Sequence, residues 1–181
     1  MKRYQRLLET LGQVHSFDYP YMKQGRRSPN PLPKLIEAHR QQLAAARKGH
    51  RGPVVLIGKS MGGRVGCHVA LEDPVDAIVC LGYPLKAPGA GGKVRDEVLL
   101  ELRTPILFVQ GTRDNLCPLD LLARVRRKMK APNELYVVET GNHSLEPTKT
   151  HLRSSGQSQQ QVEQQTLSTI AEFLQHHARP A

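Results

Sequence analysis

Residues 54–70, VVLIGKSMGGRVGCHVA, constrain the fold more than any other part of this sequence. An apolar run of strand type leads into a serine between glycines, and an amphipathic pattern with helical spacing follows. Gly58, Ser60 and Gly62 match G-x-S-x-G in the strand–turn–helix context that this pattern requires. The glycines leave room for a serine held in a strained conformation at a sharp turn. We therefore expect the Ser60 hydroxyl at the carboxyl edge of a sheet.

Short apolar runs alternate with helical patterns along the chain, as is typical of a parallel sheet covered by helices. The candidate strands lie at residues 14–20, 53–58, 76–84, 104–111 and 133–141. The run at 53–58 is apolar throughout, which indicates a strand buried on both faces. We predict a three-layer α/β domain with a mostly parallel sheet of about five strands.

Helical spacing predicts helices over residues 1–12, 34–50 and 119–129. The polar, glutamine-rich stretch from Ser154 to Gln165 is predicted to be a loop. The spacing of Leu167, Ile170 and Leu174 then predicts an amphipathic C-terminal helix over about residues 162–177. A chain of 181 residues suffices for one core, so we expect a single domain over residues 1–181.

The composition excludes several classes of protein. No run approaches the roughly 20 apolar residues of a membrane span, and the opening MKRYQRLLETLGQ carries charges where a signal peptide is apolar. We therefore expect a cytoplasmic protein without a membrane span. The three cysteines have neither disulfide nor C-x-x-C spacing, and no cluster of His, Cys, Asp or Glu has metal-ligand spacing. Neither a metal nor another cofactor is expected.

The formal net charge of +10 raises the question of a nucleic-acid partner. The densest basic run, ARVRRKMK at residues 123–130, has the spacing of the polar face of a helix. No aromatic side chains interleave it to stack on bases. A solvated helix face therefore explains the charge better than a nucleic-acid footprint, and nucleic acid is not expected as a partner. A basic nucleic-acid binder stays open as the weakest alternative function.

Two polar residues follow later strands at positions equivalent to Ser60. Asp114 comes just after the strand at 104–111, and His143 just after the strand at 133–141. A serine hydroxyl is a weak nucleophile until a base takes its proton and an acid orients that base. The chain order Ser, Asp, His is the order of an α/β-hydrolase. Taken singly, Asp114 is also a candidate turn or helix-capping residue, and His143 a candidate loop imidazole.

Five stretches carry a resemblance to a known family: FDYPYM, LIGKSMGGRV, GYPL, FVQGTRDNLCP and GNHSLE. With them the chain resembles the α/β-hydrolase family of testis-expressed protein 30 and NSL complex subunit 3, relatives of dienelactone hydrolases. The resemblance spans residues 1 to about 178 and implies Ser60 as nucleophile, Asp114 as acid and His143 as base. It implies a hydrolase of undefined substrate, and some relatives serve as subunits of complexes.

Hydrolysis of an ester or thioester through an acyl-enzyme is the function we expect, with a small-molecule substrate. The main alternative is a catalytically silent hydrolase-fold module that binds a protein partner. The N–H of Met61, the first of the helix, is predicted to face the developing oxyanion. Lys59 and Tyr19 border the same sheet edge and are candidate substrate-binding residues, although Tyr19 fits a packing role equally well.

The opening of the chain departs from the family pattern. Such hydrolases usually carry a further strand, ending in a His-Gly loop that donates the second oxyanion N–H. The resemblance places this absent strand between the strands at 14–20 and 53–58, which would leave a gap of about 10 Å. We therefore expect an N-terminally shortened hydrolase, in which the two flanking strands either pair directly or leave a sheet edge open.

Overall fold

The computed structural model describes residues 2–26, 28–89 and 91–178, with side chains from Tyr4 onward. Four strands are formed: β1 (Val55–Lys59), β2 (Ala77–Leu81), β3 (Ile106–Gly111) and β4 (Asn133–Val138). The helices are α1 (Lys2–Leu8), α2 (Pro20–Lys23), α3 (Leu32–Arg47), α4 (Met61–Glu72), α5 (Glu97–Glu101), α6 (Leu119–Arg126), α7 (Lys149–Ser154) and α8 (Gln159–His177). The strands alternate with helices, as expected for a parallel sheet.

The strands form one parallel sheet in the order β1-β2-β3-β4. Val55 is in register with Ala77, Ile78 with Ile106, and Ile106 with Asn133. Each strand is thus added on the same side of the preceding one. Right-handed crossovers that advance in a constant direction place their helices on the same face of a sheet. The carboxyl ends of all four strands meet at a single edge.

Helices cover both faces of the sheet, which confirms the predicted three-layer α/β architecture. The first core packs α3, α4, α5 and α6 against one face, and Ile78, Cys80 and Phe108 are among its strand residues. The second core packs α1 and α8 against the other face, through the alternate strand residues such as Val79 and Leu107. Since side chains alternate between faces along a strand, this division follows from the apolar runs.

The expected strand at residues 14–20 is wrong, and the sheet has four strands where about five were predicted. Residues 13–19 lie in neither a helix nor a strand, and Pro20 begins α2. Val14 packs against the second core, whereas Phe17 packs against the first. Among the described residues no backbone hydrogen bond joins this segment to β1. Because a strand needs a hydrogen-bonded neighbour, this segment does not form one. Its side chains hold it against the two cores instead.

The predicted loop from Ser154 to Gln165 is also wrong over most of its length. Helix α7 runs to Ser154, and α8 begins at Gln159. The Ser158 hydroxyl accepts a hydrogen bond from the Gln161 N–H, and the Gln161 side chain accepts one from the Ser158 N–H. This capping box starts α8 three residues before the predicted helix, although both end at His177. Two other predicted helices are shorter than expected, since α1 ends at Leu8 and α6 at Arg126.

None of the described helices is both long enough and apolar enough to cross a membrane.

Candidate active site

Ser60 lies in the turn between β1 and α4 with φ 51° and ψ −119°. A non-glycine residue at positive φ is strained and persists only where its surroundings fix it. Here the Ser60 N–H donates to the Leu81 carbonyl at the end of β2 over 3.0 Å. A Cβ on Gly58 would collide with the backbone of Gly63, and one on Gly63 would lie 2.9 Å from the Gly58 carbonyl oxygen. The glycines therefore allow the close approach that presents the serine.

Asp114 and His143 follow the ends of β3 and β4, at the same edge of the sheet as Ser60. The Asp114 Oδ2 atom lies 2.7 Å from His143 Nδ1, and His143 Nε2 lies 2.8 Å from Ser60 Oγ. The Asp114 side chain is fully buried, while that of His143 is 31% exposed. A carboxylate acceptor at Nδ1 favours the tautomer with the proton on Nδ1, so that Nε2 can accept from the serine hydroxyl.

The segment that carries His143 is held by its own side chains. Asn142 Oδ1 accepts from the N–H of Ser144 over 2.7 Å and from that of Glu146 over 3.1 Å. A Cβ on Gly82, which has φ +66°, would lie 2.7 Å from the carbonyl oxygen of His143. The end of β2 thus packs directly against the backbone of His143.

The predicted substrate-binding residues occupy different environments. Lys59 Nζ donates to Ser144 Oγ over 2.9 Å and so joins the end of β1 to the segment after His143. Tyr19 is only 7% exposed, and its hydroxyl lies 3.0 Å from Nδ1 of His39 on α3. Burial raises the pKa of Tyr19 and lowers that of His39 to about 4. Tyr19 thus packs in the helical layer beside a neutral imidazole and makes no hydrogen bond to Ser60, Asp114 or His143.

Met61 is the first residue of α4. The first N–H groups of a helix have no acceptor within the helix and carry its positive end. The Met61 N–H next to Ser60 is therefore available to an oxygen atom that gains negative charge.

Sequence reasoning missed Gln110, a residue of β3 with no exposed surface. Its Nε2 donates to Asp114 Oδ2 over 2.6 Å, and its Oε1 accepts from the N–H of Tyr83 over 3.0 Å. The sequence does carry a signal for Gln110, because a glutamine in an otherwise apolar strand needs hydrogen-bond partners in the protein interior.

The cysteines do not contribute a nucleophile to this site. Cys67, Cys80 and Cys117 are all buried. Burial, with a smaller effect of Asp114, raises the pKa of the Cys117 thiol to about 12, so the reactive thiolate is scarce at neutral pH. Within the described ranges, no group of three or more His, Cys, Asp or Glu side chains is arranged to hold a metal ion.

A family model described as an alpha/beta hydrolase domain matches residues 1–175. Solved structures of similar fold include a predicted CIB-like hydrolase from Thermoplasma acidophilum. The two are 21% identical, with a TM-score of 0.59 over 90% of this chain and 66% of the other. The chain thus spans just under two thirds of that relative.

Two further structures are similar. The dienelactone hydrolase of Anabaena variabilis is 16% identical, with a TM-score of 0.66 over 98% of this chain and 79% of the other. A monoacylglycerol lipase from Paleococcus ferrophilus is 14% identical, with a TM-score of 0.65 over 95% of this chain and 90% of the other. At these identities the likeness is one of fold.

Proposed function

Because this chain belongs to the alpha/beta hydrolase domain family, we propose that it is a serine hydrolase with Ser60 as nucleophile, His143 as base and Asp114 as acid. One observation carries the proposal: the imidazole of His143 lies within hydrogen-bond distance of both Ser60 Oγ, at 2.8 Å, and Asp114 Oδ2, at 2.7 Å. A nucleophile, a base and a group that orients the base are the parts that acyl transfer requires.

The reaction proceeds through an acyl-enzyme. Ser60 Oγ attacks the substrate carbonyl as His143 Nε2 takes its proton, and Asp114 stabilises the imidazolium that forms. The N–H of Met61 donates to the oxyanion. His143 then protonates the departing alcohol or thiol. Water deprotonated by His143 attacks the acyl group, and the expelled Ser60 oxygen takes the proton back.

We propose small-molecule esters or thioesters as substrates. The leaving groups of esters and thioesters depart more readily than an amine, which suits a site with one proposed oxyanion donor, the N–H of Met61. Lys59 and Tyr19 stay proposed substrate-binding residues. Contact with Tyr19 would require its side chain to leave the His39 hydrogen bond. On the motifs LIGKSMGGRV, FVQGTRDNLCP and GNHSLE we also propose that the chain belongs with testis-expressed protein 30 and NSL complex subunit 3.

The test is labelling with a fluorophosphonate probe, followed by mapping of the modified peptide. We expect modification of Ser60, and no labelling or ester hydrolysis in Ser60→Ala. His143→Ala should lose nearly as much activity as Ser60→Ala, and Asp114→Asn somewhat less, because the three residues act as a unit.

His151→Ala is the matched control, since it removes an imidazole from α7 and should leave the labelling rate unchanged. Modification at another residue, or hydrolysis that survives Ser60→Ala, would refute the assignment. A folded protein without labelling or hydrolysis would support the alternative of a silent binding module.

A further inference from the structure

The buried amide of Gln110 connects two strand ends. Its Oε1 atom faces the N–H of Tyr83, just after β2, and its Nε2 atom faces Asp114 Oδ2, just after β3. Tyr83 offers a donor and Asp114 an acceptor, so the orientation of the amide is determined by its partners. A side chain that is donor at one end and acceptor at the other is needed to satisfy both.

The hydrogen bonds of Asp114 show what the amide contributes. Asp114 Oδ1 accepts from the N–H of Leu116 over 2.9 Å, whereas Oδ2 accepts from both His143 Nδ1 and Gln110 Nε2. The backbone contact fixes one oxygen only. Gln110 fixes the other, which is the oxygen that contacts His143. A carboxylate held at both oxygens has one orientation available toward the imidazole.

We propose that Gln110 is a positioning residue, which holds Asp114 in the orientation that binds His143 Nδ1; the proposal rests on the function assigned above to Ser60, Asp114 and His143. Gln110 also draws negative charge from Asp114 Oδ2, because it donates to the same oxygen as the imidazole. Its removal therefore affects both the placement and the basicity of His143.

A purely structural role would be to satisfy the buried N–H of Tyr83, and two variants separate this role from the proposed one. Gln110→Met has a similar length and loses both hydrogen bonds. Gln110→Glu keeps an acceptor for the Tyr83 N–H but places a second carboxyl against Asp114. Two carboxyls at this distance share one proton, so the new side chain donates to Asp114 at low pH and repels it once that proton is lost.

The experiment is the pH dependence of the fluorophosphonate labelling rate in the wild type and both variants. We expect Gln110→Met to label about 10 to 100 times more slowly, the range for a small misplacement of a catalytic group. Gln110→Glu should approach the wild-type rate at low pH and fall behind as pH rises. A Gln110→Glu rate that keeps a constant ratio to the wild type at every pH would overturn the proposal.

Combination with Asp114→Asn provides a second test. If Gln110 acts through the Asp114 carboxylate, Gln110→Met should slow labelling far less in the Asp114→Asn background than in the wild type. An equal slowing in both backgrounds would overturn the proposal.

A third measurement needs no catalysis, and it separates failure of this inference from failure of the proposed function. The proton of a His143 Nδ1–H bonded to a carboxylate gives a far-downfield NMR resonance, which should weaken in Gln110→Met and weaken with rising pH in Gln110→Glu. If the wild type is not labelled but the resonance changes in the two variants as expected, only the proposed function is refuted. If the wild type is labelled at Ser60 but the resonance is unchanged in both variants, only the role of Gln110 is refuted.

Discussion

Gly82 packs against the backbone of His143, so a larger residue at position 82 should disturb the candidate site. Gly82 has φ +66°, and an added Cβ would lie 2.7 Å from the His143 carbonyl oxygen and 3.5 Å from its Nδ1 atom. Gly82→Ala therefore has two effects. It places a side chain in the left-handed region, which costs about 1 to 2 kcal/mol, and it pushes the backbone of His143 away.

The displacement sets the expected loss of activity. Relaxation to an ordinary contact of about 3.5 Å requires the carbonyl of His143 to move by roughly 0.8 Å. The imidazole follows its backbone, which lengthens hydrogen bonds of 2.7 Å to Asp114 and 2.8 Å to Ser60. A misplacement near 1 Å costs on the order of 100-fold in rate. We expect Gly82→Ala to label about 100-fold more slowly with a fluorophosphonate.

Gly156 provides the matched control. It also has φ +66°, but a Cβ there would meet nothing within 4 Å. Gly156→Ala should thus lower the free energy of unfolding, measured by urea denaturation, by about 1 to 2 kcal/mol and leave labelling unchanged. Gly82→Ala should lose more stability as well as activity. If the two variants match in both measurements, the close approach of Gly82 to His143 is not what holds the imidazole.

Two other predictions concern His39 and the hydrogen bond between Lys59 and Ser144. His39 is neutral when buried, with a pKa lowered to about 4 from 6.5. Its contribution to stability is therefore complete above pH 6.5 and is lost toward pH 4, by about 3 kcal/mol in all. The wild type should lose more stability than His39→Gln as pH falls over this range in urea titrations, and parallel curves would contradict the assignment. Lys59→Met and Ser144→Ala each remove the 2.9 Å hydrogen bond between Nζ and Oγ and should slow labelling by about 3- to 10-fold, a loss of about 1 kcal/mol. The double variant should be no slower than either one, whereas additive losses would mean that the two residues act separately.

The strands that carry the candidate site could be predicted because their signals are local. The apolar runs that became β1 to β4 each end at a glycine or a polar residue, and Ser60, Asp114 and His143 follow three of those ends. Parallel strands align their carboxyl ends, so order along the chain became proximity in space. The distances among Ser60, Asp114 and His143 and the role of Gln110 depend on side-chain orientation. The periodicity of the sequence does not encode that orientation.

The errors have physical causes that differ. Residues 14–20 have apolar side chains at strand-like positions, but a strand also requires a hydrogen-bonded neighbour, and that depends on the rest of the fold. In the stretch from Ser154 to Gln165, polarity was interpreted as loop, although glutamine is a good helix former. Ser158 and Gln161 also stand at the spacing of a capping box, a signal in the sequence that outweighs low hydrophobicity.

The division of the helices between the two faces has a consequence for the order in which the protein can fold during its synthesis. Helices α4, α5 and α6 connect successive strands and cover the first face as the strands form. The other face relies on α1 and on α8, whose Val162, Ile170 and Phe173 pack there. Until the ribosome has released α8, strand residues such as Val79 and Leu107 lack much of their cover. A nascent chain at that stage exposes a broad apolar surface, which is the surface that chaperones bind and that drives aggregation.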